Sequence, residues 1–126
     1  MAELKIFVYG TLKVGGRLSK PFDGVRTSVK VGKIKGTLYD LGSFPGVKLE
    51  GDYIITGEVH TYTDSILIEK ALDRIEGFIK DGHPSNLYNK RQIQVETDAG
   101  VEKCLVYEFA KSIDTLNKIE EGIWKI

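Results

Sequence analysis

Apolar residues run almost unbroken through Leu4–Tyr9, the pattern of a strand buried on both faces. The run passes into Gly10-Thr11-Leu12-Lys13-Val14-Gly15-Gly16, where the period is lost and a glycine-rich loop is expected. Val25–Val31 and Ile34–Leu41 alternate apolar and polar positions, which predicts two strands broken at Gly32. Gly42-Ser43-Phe44-Pro45-Gly46 carries turn chemistry, and Tyr53–Tyr62 returns to strand-like alternation. The period then lengthens. Ile68, Ala71, Leu72 and Ile75 follow helical spacing, predicting a helix over Ser65–Gly77 with Asp64 or Ser65 as N-cap. Gly77 fits the C′ position, where a left-handed backbone is needed.

Residues 78–87 read as a polar loop containing Gly82 and Pro84. Tyr88–Thr97 and Val101–Phe109 read as strands joined at Asp98-Ala99-Gly100, a hairpin signal. The spacing of Ile113, Leu116 and Ile119 predicts a short helix before Trp124. About six strands and two helices on short connections imply an α+β domain with a curled, barrel-like mixed sheet and the longer helix packed across it.

Composition narrows the function classes. The 126 residues suit a single domain, and 41% hydrophobic residues can fill its core. Lys plus Arg and Asp plus Glu both number 18. That balance argues against a nucleic-acid or anionic-membrane partner, since either favours a basic surplus on one face. The lone Cys104 cannot form an internal disulfide or a cysteine zinc cluster, and in the run Cys-Leu-Val-Tyr it reads as a small buried hydrophobe. No apolar stretch approaches the ~20 residues of a membrane span, and the N-terminus shows no leader pattern, so a cytoplasmic protein is expected.

Two places could carry chemistry. With Leu72 at the centre of the helix's apolar face, Glu76 falls on its shoulder. Glu69 lies on a shoulder as well, so angle does not single out Glu76; its position at the helix end, opening into a loop, does. The negative helix end and partial burial both disfavour a carboxylate and raise its pKa, which suits a proton shuttle near neutrality. A solvated surface glutamate is the bland alternative.

The second place is Val8-Tyr9-Gly10-Thr11-Leu12, where consecutive backbone N–H groups can turn towards one anion. An ordinary turn is the alternative. Gly10 and Gly15 have P-loop spacing, but Gly16 and Arg17 follow where Lys and Ser or Thr are needed, so nucleotide binding is rejected. His60 and His83 are the only histidines and lack any metal-ligand spacing. Tyr88-Asn89-Lys90-Arg91 could stack a base, though a solvated basic strand edge is the simpler reading.

Taken together, these pieces resemble the gamma-glutamylcyclotransferase-like, or AIG2-like, family. Phe7-Val8-Tyr9-Gly10-Thr11-Leu12-Lys13 resembles its opening motif. Gly36-Thr37-Leu38-Tyr39-Asp40-Leu41-Gly42 with Pro45-Gly46 resembles its central strand and turn, and Leu72-Asp73-Arg74-Ile75-Glu76-Gly77 its Leu-Asp-x-x-Glu-Gly motif. Tyr88 and the strand after it resemble the Tyr-x-Arg strand, with Lys90 where Arg is usual and the Arg one place later.

The resemblance implies a β-barrel flanked by a few helices. It also implies an enzyme that cyclises a small γ-glutamyl amine or peptide to 5-oxoproline and releases the amine. It places the general acid/base on Glu76 and substrate binding on Tyr9, Gly10, Thr11, Leu12 and Tyr88; Lys90 and Arg91 are left out of the site. The Tyr-Gly-Thr-Leu variant and the short chain point towards the γ-glutamylamine branch. In such a substrate the α-amine can itself close a five-membered ring on the side-chain carbonyl, so no nucleophilic side chain, metal or cofactor is expected. A non-catalytic carboxylate-binding module on the same fold is the alternative.

Overall fold

The computed structural model describes residues 3–16, 18–63 and 65–125. Strand β1 (Leu4–Val8) is buried along its length apart from half-buried Lys5. It pairs antiparallel with β3 (Pro45–Tyr62) and parallel with β5 (Gly100–Phe109), where Ile6 lies opposite Leu105. β5 pairs antiparallel with β4 (Tyr88–Thr97), and β4 meets β2 (Arg26–Asp40) at Gly32 and Lys33. β2 and β3 form a long antiparallel ladder from Arg26 opposite Tyr62 to Asp40 opposite Pro45. These five strands close into a mixed barrel, with the β2–β4 seam confined to Gly32 and Lys33 and the rest of that side of β2 left as an edge.

Strand alternation divides the apolar residues between two cores. Phe7 and Tyr9 of the β1 segment join Ile34, Leu38, Val47, Ile55, Val59, Val95, Cys104 and Val106 inside the barrel. Leu4, Ile6 and Val8 face the other way, with Tyr88, Tyr107 and Phe109. The helix α1 (Ser65–Ile75) covers that outer face through Leu72, with Ile68 and Ala71 beside it. Leu72 is only 1% exposed, so the helix is held chiefly by this contact. Cys104 is buried in the barrel, and burial pushes its thiol up to about 11.

Several expectations change. Gly32 does not break β2, which runs through it unbroken. Gly32 sits opposite Gly57 of β3 and Thr97 of β4, at the point where three strands converge, so its small size serves packing there. Pro45 and Gly46 open β3 rather than ending a turn, because they pair with Asp40 and Tyr39.

The expected C-terminal helix is absent. After one turn, in which the Leu116 N–H donates to the Ile113 carbonyl, the chain forms a short strand β6 (Asn117–Lys118) on β2. Ile119 N–H then donates to the Leu38 carbonyl at 2.7 Å, and Gly122 accepts from Thr56 N–H at 2.8 Å. The barrel edge thus satisfies backbone groups that a helix would have paired internally, and the i, i+3 spacing reflects a single turn. Besides α1, the described helical structure is a 3₁₀ turn at Lys20–Phe22. Asp64, one of the two expected N-caps, lies outside the described residues.

Candidate active site

The C-terminal end of α1 fixes Glu76. Phe78 N–H donates to the Asp73 carbonyl at 2.9 Å, and Gly77 N–H reaches back to Arg74 at 3.4 Å. This is the Schellman arrangement, with Glu76 as C-cap and Gly77 at C′. Gly77 has φ +66°, the left-handed backbone that favours glycine. Phe78 then folds back against the outer core. The motif aims Glu76 away from the helix axis and into a cavity of about 230 Å³.

Tyr9, Gly10, Thr11, Leu12, Glu76 and Tyr88 all line that cavity. They arrive from the end of β1, the loop after it, the end of α1 and the start of β4. Gly10 is needed because Pro45 packs against it: a Cβ there would lie 2.6 Å from the proline Cγ. Among the described residues, the N–H groups of Thr11 and Leu12 donate to no protein acceptor. The loop is nevertheless pinned. Lys13 N–H donates to the Gly10 carbonyl at 3.0 Å, Leu18 N–H to the Thr11 carbonyl at 2.9 Å, and Val14 N–H to Glu58 Oε1 at 2.9 Å.

Glu58 is itself held by His60 Nε2 at 2.8 Å, while His60 Nδ1 accepts from Arg26 Nε at 3.1 Å. His60 is therefore a buried structural residue, fixed by partners on both ring nitrogens. His83 Nδ1 accepts from Ser85 N–H. Among the described residues, no three His, Cys, Asp or Glu side chains cluster as metal ligands would.

Sequence reasoning missed Tyr107, which lines the same cavity from β5, and the apolar wall of Leu18, Phe44, Ile75 and Leu87. In Leu-Val-Tyr-Glu-Phe nothing marks Tyr107, since strand alternation alone accounts for it. Its neighbours give it a specific place. Tyr107 OH donates to Asp73 Oδ1 at 2.6 Å, and both Asp73 oxygens accept from Lys90 Nζ at 3.1 Å. Lys90 also binds Glu69 and lies 4.8 Å from the centre of the Phe78 ring.

Glu69, Asp73 and Glu76 stand at i, i+4 and i+7, one acidic edge of α1. Lys90 bridges the first two, one positive charge between two negative ones. Among the described residues Glu76 has no hydrogen-bond donor or ion-pair partner. Glu76 is half-buried at the cavity wall, and burial raises its pKa to about 7. The three tyrosines near it all spend their protons elsewhere: Tyr9 OH on the Tyr107 carbonyl, Tyr88 OH on the Pro45 carbonyl, and Tyr107 OH on Asp73. Burial pushes all three phenols upward, and the nearby Glu76 charge adds to it, so they remain neutral.

The cavity thus holds a carboxylate with a pKa near neutrality, neutral aromatic walls and a loop in which, among the described residues, the Thr11 and Leu12 N–H groups have no acceptor. Among the described residues, no helix is long and apolar enough to cross a membrane.

Comparison with known proteins agrees with this architecture. Gamma-L-glutamyl-butirosin B gamma-glutamyl cyclotransferase of Niallia circulans is 29% identical over 105 residues, covering 82% of this chain and 65% of that protein. YkqA from Bacillus subtilis superposes with a TM-score of 0.73 at 27% identity, over 98% of this chain but only 40% of its own. An AIG2-like protein from Mus musculus superposes with a TM-score of 0.74 at 25% identity, covering 95% of this chain and 88% of that one. The family model described as gamma-glutamyl cyclotransferase, AIG2-like, matches residues 6–126. The chain belongs to the AIG2-like gamma-glutamyl cyclotransferase family.

Proposed function

We propose that this protein cyclises a small γ-glutamyl amine or peptide to 5-oxoproline, with Glu76 as general acid/base. One observation carries this reading: Glu76 opens into the same cavity as the Tyr9–Leu12 loop, and burial holds its pKa at about 7. A carboxylate tuned to neutrality can both accept and return a proton at working pH.

In the reaction, the free N–H groups of Thr11 and Leu12 bind the substrate's α-carboxylate. Ionised Glu76 takes a proton from the α-ammonium, and the freed amine attacks the γ-carbonyl carbon. The new C–N bond closes the five-membered ring as the bond to the leaving nitrogen breaks. Two of the three ammonium protons pass by way of Glu76 to the leaving nitrogen, so that the amine departs as an ammonium, and the third remains on the lactam. Holding amine and carbonyl together captures part of the several kcal/mol available from effective molarity. The neutral walls of Tyr9, Tyr88 and Tyr107 exclude competing water.

The relative from Niallia circulans supports the reaction class, since its name is that of a gamma-glutamyl cyclotransferase. A panel of γ-glutamyl amines and peptides, assayed for 5-oxoproline and free amine in equal amounts, tests the reading. Stoichiometric release from any member is expected. Tight binding of 5-oxoproline with no turnover anywhere in the panel would instead identify a non-catalytic γ-glutamyl-binding protein.

A further inference from the structure

Lys90 and Asp73 lie outside the cavity, yet they are tied to it through Tyr107. The Tyr107 ring lines the cavity wall while its hydroxyl proton is committed to Asp73 Oδ1 at 2.6 Å. Asp73 is kept in place by Lys90, which contacts both carboxylate oxygens from the facing strand β4. Lys90 is anchored in turn by Glu69 and by the Phe78 ring. We propose that Asp73, clamped by Lys90, is a positioning residue that holds the Tyr107 hydroxyl proton away from Glu76.

The physical consequence concerns Glu76. A carboxylate that accepts a phenolic hydrogen bond is stabilised in its ionised form and becomes a weaker base. The groups that share the cavity with Glu76 are Tyr9 just after β1, Tyr88 of β4 and Tyr107 of β5, with Glu69, Asp73, Lys90 and Glu108 behind them. Tyr9 and Tyr88 donate to backbone carbonyls, which side-chain changes leave in place. Tyr107 alone depends on a side-chain acceptor, so its proton is the one a substitution can release. Burial and the hydrogen bond to Asp73 both hold that proton on the phenol, so Tyr107 stays a donor rather than an anion. Burial works to lower the proton affinity of Lys90, and its bonds to Glu69 and Asp73 outweigh it, so the clamp stays charged.

Asp73 acts in this way only if Glu76 is the proton acceptor proposed above, but proton affinity can be read without turnover. Carbon-13 NMR titration of the Glu76 carboxyl is followed in wild type, Asp73→Ala, Tyr107→Phe and the double variant. Asp73→Ala is expected to lower the Glu76 midpoint by about one pH unit, a tenfold change in acid dissociation. Tyr107→Phe alone should stay near wild type, and Asp73→Ala/Tyr107→Phe should return there, since no hydroxyl remains to donate. An unchanged midpoint in Asp73→Ala overturns the proposal. So does a lowered midpoint that persists in the double variant, because the lost Asp73 charge or the released Lys90 would then be acting through space. Should Asp73→Ala not fold, Asp73→Leu, close in shape and equally without an acceptor for the Tyr107 hydroxyl, carries the same cycle. If wild type releases no 5-oxoproline while the titration cycle holds, the proposed reaction fails and the Asp73–Tyr107 link stands.

Discussion

Burial of Glu76 should make the protein less stable as pH rises through neutrality, and Glu76→Gln should remove that dependence. In the folded protein burial raises the carboxyl from an ordinary 4.5 to about 7. Between those values the native state binds more protons than the unfolded chain, so stability falls as pH increases. The contribution is fully present below about 4.5 and lost above about 7. Each pH unit between them corresponds to ~1.4 kcal/mol, so complete ionisation costs about 3 kcal/mol. Glu76 keeps one side open to the cavity, and water there reduces the cost to roughly 1–3 kcal/mol. Glutamine has nearly the same shape and no charge at any pH. Urea unfolding at pH 5 and pH 8.5 measures the difference. At pH 5, half a unit above the unfolded value, the variant should lead by less than about 1 kcal/mol; at pH 8.5 it should be ahead by about 1–3 kcal/mol, a stability gain at the site of a functional group. An equal gap at both pH values would refute the claim that burial raises this carboxyl.

Other parts of the structure make independent demands. Gly77→Ala places a side chain at φ +66° with its Cβ 3.1 Å from Leu87 Cβ, and should cost about 1–2 kcal/mol in chemical denaturation. Leu72→Ala opens a cavity beneath α1 and should cost about 2–5 kcal/mol in the same assay. Glu58→Ala removes the acceptor for Val14 N–H and leaves buried His60 Nε2 unpartnered, costing about 1–3 kcal/mol. Amide exchange at Val14 should quicken, and KM should rise more than kcat falls, because the loop it frees is the one proposed to bind substrate.

Much of the fold was legible because strand and helix periods were clean where the barrel and α1 form. Leu4–Tyr9 reads as doubly buried, and β1, which ends one residue earlier at Val8, lies between the two cores. Tyr88–Thr97 appears as expected, and the helix ends one turn into Leu-Asp-Arg-Ile-Glu-Gly with Gly77 at C′. The failures share a cause: the local signals were real, but long-range pairing decided their use. Glycine at 32 looks like punctuation until three strands are seen to meet there. Pro45 and Gly46 look like a turn, yet their partners in β2 draw them into a strand. Ile113, Leu116 and Ile119 have a helical interval, yet the edge of β2 offers the chain a ladder.

The site divides the same way. Glu76, Tyr9–Leu12 and Tyr88 were singled out by motif and helix-end chemistry, and all face one cavity. Tyr107 and the wall at Phe44 and Leu87 come from separate elements with no local mark. Lys90 was set aside because its residue type departs from the usual pattern, and its charge instead serves Asp73 and Glu69 on the helix. That pairing is visible only once β4 and α1 are packed together.

The central claim is that Glu76 moves the protons of the cyclisation. It is tested most directly by measuring 5-oxoproline release at neutral pH, with wild type and Glu76→Gln side by side on the best γ-glutamyl substrate of the panel. Wild type should turn over, and Glu76→Gln should lose about 10²–10⁴-fold in kcat while remaining folded and still binding substrate. A Glu76→Gln protein that releases 5-oxoproline at the wild-type rate would contradict the account.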